Sequence, residues 1–171
     1  MSLRNGEIKV ICDSATEHIG FRWTTVGVPV SATIDSAWMS IFITTSGNDE
    51  PQHQLRGQLA ADPTTFTTTS NDIDARSRTT ATVNWDSTDL GSGTSEEWQW
   101  GSAAGSPTAW ANINTIIQEI VNQGTWAQDN ALVLICEQHT DGATRDLAIR
   151  TYEANTIYGA KLHIEYTAGG A

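Results

Sequence analysis

Lysine is nearly absent from this sequence. Lys9 and Lys161 are its two examples, and with the arginines they give nine basic residues against twenty acidic ones, a formal charge of -11. A surface of that sign repels phosphate backbones and anionic lipid, which speaks against nucleic-acid and membrane-surface binding. Long apolar runs are missing as well. None approaches the about 18 residues that a membrane-crossing helix needs. The N-terminal MSLRNGEIKV carries no apolar segment of the secretory-signal kind. Cysteine is scarce: Cys12 and Cys136 form no zinc or redox spacing. Both lie in strand-like apolar stretches, so buried thiols are the simpler reading, and a long-range disulfide would need their strands to be neighbours. No nucleophile elbow, no His-x-x-x-His and no Cys-x-x-Cys occurs, which removes the common signatures of a serine hydrolase and of structural zinc.

What is present is enough for one core. The 171 residues fit a single domain, 1–171, with 39% hydrophobic residues and seven tryptophans, so the chain is globular rather than a disordered acidic tail. Strand patterns recur along it, at 8–12, 21–24, 33–45, 54–59, 80–85, 131–137, 146–152 and 161–166. The run 33–45 (TIDSAWMSIFITT) is apolar on both faces at its centre, as in a strand covered on two sides. In the last strand Leu162, Ile164 and Tyr166 alternate with Lys161, His163 and Glu165, which predicts one buried and one wet face. Connectors are rich in Gly, Ser, Thr, Asn and Asp, and the threonine-dense 64–69 suits exposed strand or extended loop.

One segment breaks the β pattern. Over 112–123 (NINTIIQEIVNQ) the apolar residues Ile113, Ile116, Ile117, Ile120 and Val121 recur at helical spacing. Asn112 is expected as its N-cap, and Gly124 is expected to end it in a left-handed turn. Many short strands without βαβ alternation predict an all-β fold, an antiparallel β-sandwich of jelly-roll type, with this one short helix near 112–123 closing an end or covering an edge.

Chemistry-bearing constellations are few. His18, His53, His139 and His163 are scattered and read as solvated strand histidines. Glu96 and Glu97 are adjacent, so on a strand they point to opposite faces and cannot flank one glycosidic bond. Calcium is the metal that oxygen-rich loops could hold. The candidates are Asp13 and Glu17, Asp141, and Asp72 with Asp74; none lies in an EF-hand pattern, and a plain solvated acidic surface is the simpler reading of them. No other cofactor and no catalysis are expected. The sharpest surface signal is Trp98 with Trp100. One residue apart on a strand, their rings would share a face about 6 to 7 Å apart, a platform for stacking a sugar ring or for a subunit contact; core or rim packing is the alternative. Trp126 reads as core, and Trp38 and Trp85 as core or rim.

Several words of the sequence resemble a β-sandwich module of phage structural proteins and of bacterial surface or secreted proteins. They are IIQEIVN at 116–122, GTW at 124–126, DNAL at 129–132 and LHIEY at 162–166, with ATIDSA at 32–37, PTTF at 63–66 and RSRTTA at 76–81 upstream. The resemblance implies a jelly-roll, carbohydrate-binding-module-like fold. It carries no catalytic residues. A leaderless module starting at Met1 and ending at Ala171 is expected to be a stand-alone virion component, a capsid decoration or tail-associated protein at the virion surface. Its partners would be other virion proteins, copies of itself or carbohydrate. The alternative expectation is a carbohydrate-binding module of a secreted or cell-surface protein.

Overall fold

A computed structural model describes residues 7–10, 18–46, 52–86, 96–99, 112–138, 147–152, 156 and 159–170. The strands are β1 (Glu7–Val10), β2 (Ile19–Trp23), β3 (Thr33–Ser46), β4 (Gln52–Gln58), β5 (Arg78–Asp86), β6 (Glu96–Gln99), β7 (Leu132–Gln138), β8 (Leu147–Arg150) and β9 (Lys161–Thr167), with one helix, α1 (Asn114–Val121), between β6 and β7. They form two antiparallel sheets. One runs β1-β8-β3-β6 with β9 also paired to β3, and the other runs β2-β7-β4-β5.

Period-two alternation decides which side chains enter the core. From β3 come Ile34, Ala37, Met39 and Ile41; from β4, Leu55; from β7, Leu132, Leu134 and Cys136. Val133 and Ile135, on the other side of β7, are equally buried, because a strap lies over that face. The strap is the segment 59–77 between β4 and β5. Its Pro63 carbonyl accepts from Arg22 Nε at 3.0 Å, and Asp62 Oδ1 accepts from the Ala131 N–H at 2.9 Å. A side chain at Gly20 would collide with the Phe66 ring, Cβ to Cζ at 2.2 Å. Glycine there is what lets the tip of the Phe66 ring reach the β2 backbone. The threonine-dense 64–69 is thus an exposed stretch of this strap.

The helix buries the stripe that its spacing predicts: Ile113, Ile116, Ile117, Ile120 and Val121 all join the core. It packs against β3, β4 and β5. Gly57 in β4 makes room, since a Cβ there would stand 2.6 Å from Ile120 Cδ1. Three helix-end and helix-face side chains then bind backbone groups of β3, of β5 and of Ala32 just before β3. Gln118 Oε1 accepts from the Ile34 N–H (2.8 Å) while Gln118 Nε2 donates to the Ala32 carbonyl (3.1 Å). Asn112 Oδ1 accepts from the Ala37 N–H (3.0 Å). Glu119 accepts from Thr80 and Ala81, two successive amides of the outer strand β5, each at 2.8 Å. The helix covers an edge.

Both expected caps need correcting. Ile113, not Asn112, occupies the N-cap position and makes no side-chain cap bond. Asn112 lies one residue further out, where its Oδ1 serves the Asn114 N–H at 3.0 Å and the β3 amide together. At the other end Asn122 is the C-cap in right-handed conformation, and Gly124 does not adopt the left-handed conformation. The chain instead leaves through successive tight turns, Gln123 N–H to Ile120 O and Trp126 N–H to Gln123 O. These draw Trp126 into the core, where its indole N–H donates to the Val28 carbonyl at 3.0 Å.

Candidate functional site

The outward face of the β2-β7-β4-β5 sheet is only half covered by the strap. Over the remainder opens a shallow groove of about 410 Å³. Its floor is set by strand alternation: Arg56 and Gln54 project from β4 on the side opposite Leu55, and Glu137 from β7 on the side opposite Cys136. Arg78 comes from the first position of β5, His18 from just before β2, and Asp74 from the strap.

Glu137 is the hub. Its side chain is 13% exposed; Arg56 Nε stands 3.0 Å from Oε1, Arg78 Nε 3.4 Å from Oε2 and His18 Nε2 3.5 Å from Oε2. Gln54 Nε2 adds a long contact of 3.5 Å. A carboxylate this enclosed is stable because cations and donors replace its lost hydration. The other nitrogen of His18 faces Asp74, so one imidazole ties the sheet to the strap.

The strap is braced independently. Arg76, 7% exposed, donates to Gln58 Oε1 and to the Thr64 and Thr65 carbonyls, pairs with Asp72 at 3.1 Å, and stacks over the Phe66 ring at 4.5 Å. The Thr67 N–H, which donates to Asp72 at 2.8 Å, and then Arg76 hold the Asp72 carboxyl below its ordinary value of 3.8. Arg78 Nη1 donates to the Ile73 carbonyl at 2.9 Å and also to that of Arg76.

Of the expected site residues that are described, Asp74 lines this groove. Trp98 sits in β6 opposite Ile41, itself 2% exposed. Trp100 lies outside the described residues, as do Asp13, Glu17, Asp141, Cys12 and His139. Cys136 is a core thiol. Asp72 and Asp74 are each engaged with a cationic or imidazole partner, on Arg76 and His18. Among the described residues no group of three or more His, Cys, Asp or Glu is placed to hold a metal ion, and no helix is long and apolar enough to cross a membrane.

The described histidines correct the solvated reading. His53 is 2% exposed, on the core side of β4. His163 stacks on Trp38, ring centroids 4.9 Å apart and 4° from parallel, with Nε2 2.9 Å from Ser40 Oγ. His53 is enclosed on the core side and His163 is packed against side chains of the paired strand β3, and single-strand alternation cannot see either environment. The groove escaped for a related reason. Its residues come from five separate segments, and each looks like an ordinary polar position within its own. Only the alternation of Gln54, Arg56 and Gln58 against Leu55 carried a hint. Compared with protein-family models, with curated proteins and with solved structures, the chain finds no match.

Proposed function

We propose that the chain is a non-enzymatic jelly-roll module of a virion surface, a capsid decoration or tail-associated protein that works by contact with other proteins and with glycan. Support for the jelly-roll part comes from strand order: in β1-β8-β3-β6 against β2-β7-β4-β5, strands β1 to β8 pass from one sheet to the other at every step except the β4–β5 hairpin, the order of a double Greek key, with β9 added on β3. The excess of acidic residues would keep crowded particles apart. Trp98 and Trp100 are the proposed subunit or ligand contacts, and Asp13, Glu17 and Asp141 the proposed ligands should a structural Ca²⁺ be present.

The observation that carries the non-enzymatic reading is the pairing inside the groove. Glu137, the buried carboxylate that could serve as a base, is surrounded by Arg56, Arg78 and His18. A carboxylate whose oxygens already face two guanidinium groups and an imidazole is occupied as a fixed scaffold of the groove. The test is a glycan array run beside a panel of glycosides and esters. Retention without turnover is the expected result; turnover that Glu137→Gln abolishes would overturn the reading.

The groove itself favours a second reading, a carbohydrate-binding module of an extracellular protein, because an open polar trough on a sheet face suits a sugar chain. Stoichiometry separates the two. Assembly requires self-association or docking on a lattice, whereas a binding module acts as a monomer.

A further inference from the structure

The chain has nine basic residues, and four of them, Arg22, Arg56, Arg76 and Arg78, lie on the strap side of one sheet. Three are spent on structure. Arg22 holds the Pro63 carbonyl, Arg76 holds Gln58, two strap carbonyls and Asp72, and Arg78 holds two strap carbonyls and Glu137. Arg56 differs. Its Nε lies 3.0 Å from Glu137 Oε1 as an ion pair, its side chain is 34% exposed, and among the described residues no hydrogen bond ends on its terminal nitrogens.

A guanidinium ion-paired along its Nε edge leaves its terminal N–H pair as a flat fork toward the groove, and a carboxylate is the group that accepts such a fork with two parallel bonds. Around the fork the described residues of the groove are Gln54, Gln138, Glu137, Asp74, Arg78 and His18, with no aliphatic side chain among them. That lining can bond hydroxyls but gives an apolar peptide side chain nothing to pack on. One fork beside Glu137, on a chain of charge -11, favours a singly charged anion over a doubly charged phosphate or sulfate cluster, since repulsion from the protein grows with ligand charge. We infer that the groove takes an acidic sugar, a uronate-type residue of a glycan chain, with its carboxylate on Arg56. This rests on the glycan-contact part of the proposed function and names the ligand class for it.

The experiment is a calorimetric or NMR titration of the full chain with an oligogalacturonate and with a neutral oligogalactoside of the same length. Variants are Arg56→Gln, Arg56→Lys, which keeps the charge but loses the fork, and Lys161→Gln on the other sheet. The expected result is binding of the acidic oligomer, at least tenfold weaker binding in both Arg56 variants, no change in Lys161→Gln, and a weaker neutral ligand. Thermal unfolding of Arg56→Lys near the parent value would place that loss at the site. Equal affinity for the two oligomers would overturn the carboxylate assignment while glycan contact stood. Equal weakening in Lys161→Gln would reduce the effect to long-range charge and overturn it too. Binding of neither oligomer would overturn both this inference and glycan contact at the groove.

Discussion

At the residue scale, Glu137 and Gly20 are the positions where one atom decides the most. Glu137→Gln removes the charge that two arginines and an imidazole share, leaving half-buried cations unpaired. We expect a loss of about 1–3 kcal/mol in a denaturant titration, scaled down from fully buried pairs because Arg56 is partly in water. Unchanged stability would mean that the cluster is solvated and does not brace the sheet. Gly20→Ala puts a methyl into the Phe66 ring, so the ring and strap must shift. The expected destabilisation is about 1–3 kcal/mol. Phe66→Ala in the same background should recover part of it, which a double-mutant cycle would measure.

At the element scale, α1 and the strap do different work. The helix buries a stripe and also serves strand amides, so it joins the two sheets along one side. Glu119→Ala strips two amides of their acceptor at once. The expected cost is about 1–3 kcal/mol, with faster hydrogen exchange at Thr80 and Ala81; exchange unchanged at those amides would contradict the capping role. The strap is set up to respond to acid. The Asp72 carboxyl is held below 3.8 in the folded state by the Thr67 N–H and then Arg76, so its contribution is present in full above that value and is lost as pH falls through the lower folded one. Acid should therefore loosen the strap. Strap amide exchange, Thr67 above all, is expected to rise on acidification, and Asp72→Asn should show the loosened state already at neutral pH. An Asp72→Asn profile that matches the parent would remove this carboxylate from the strap's support.

At the scale of the whole molecule, legibility followed the range of the interactions. The helix stripe from Ile113 to Val121 could be read in advance because its period is local, and so could the alternation that buries Leu162 and Ile164 against the core. Pairing could not be read. That β4 lies between β7 and β5, or that β8 joins β1 to β3, depends on contacts between distant segments that no local period encodes. The caps failed more instructively. Asn112 was diverted by a β3 amide that only the tertiary fold supplies, and Gly124 by the turns that bring Trp126 inward. Among site residues, Arg56, Glu137 and His18 each looked like a solvated polar residue until the sheet set them side by side. Trp98, conspicuous in the sequence, sits in β6 opposite Ile41.

The central claim is that this module acts by assembly, and sedimentation velocity across a wide concentration range tests it most directly. The account predicts a discrete self-associated species that Trp98→Ala/Trp100→Ala shifts toward monomer and that Arg56→Gln leaves intact. A monomer at every concentration, with glycan binding retained, would contradict assembly and leave the carbohydrate-binding module as the function.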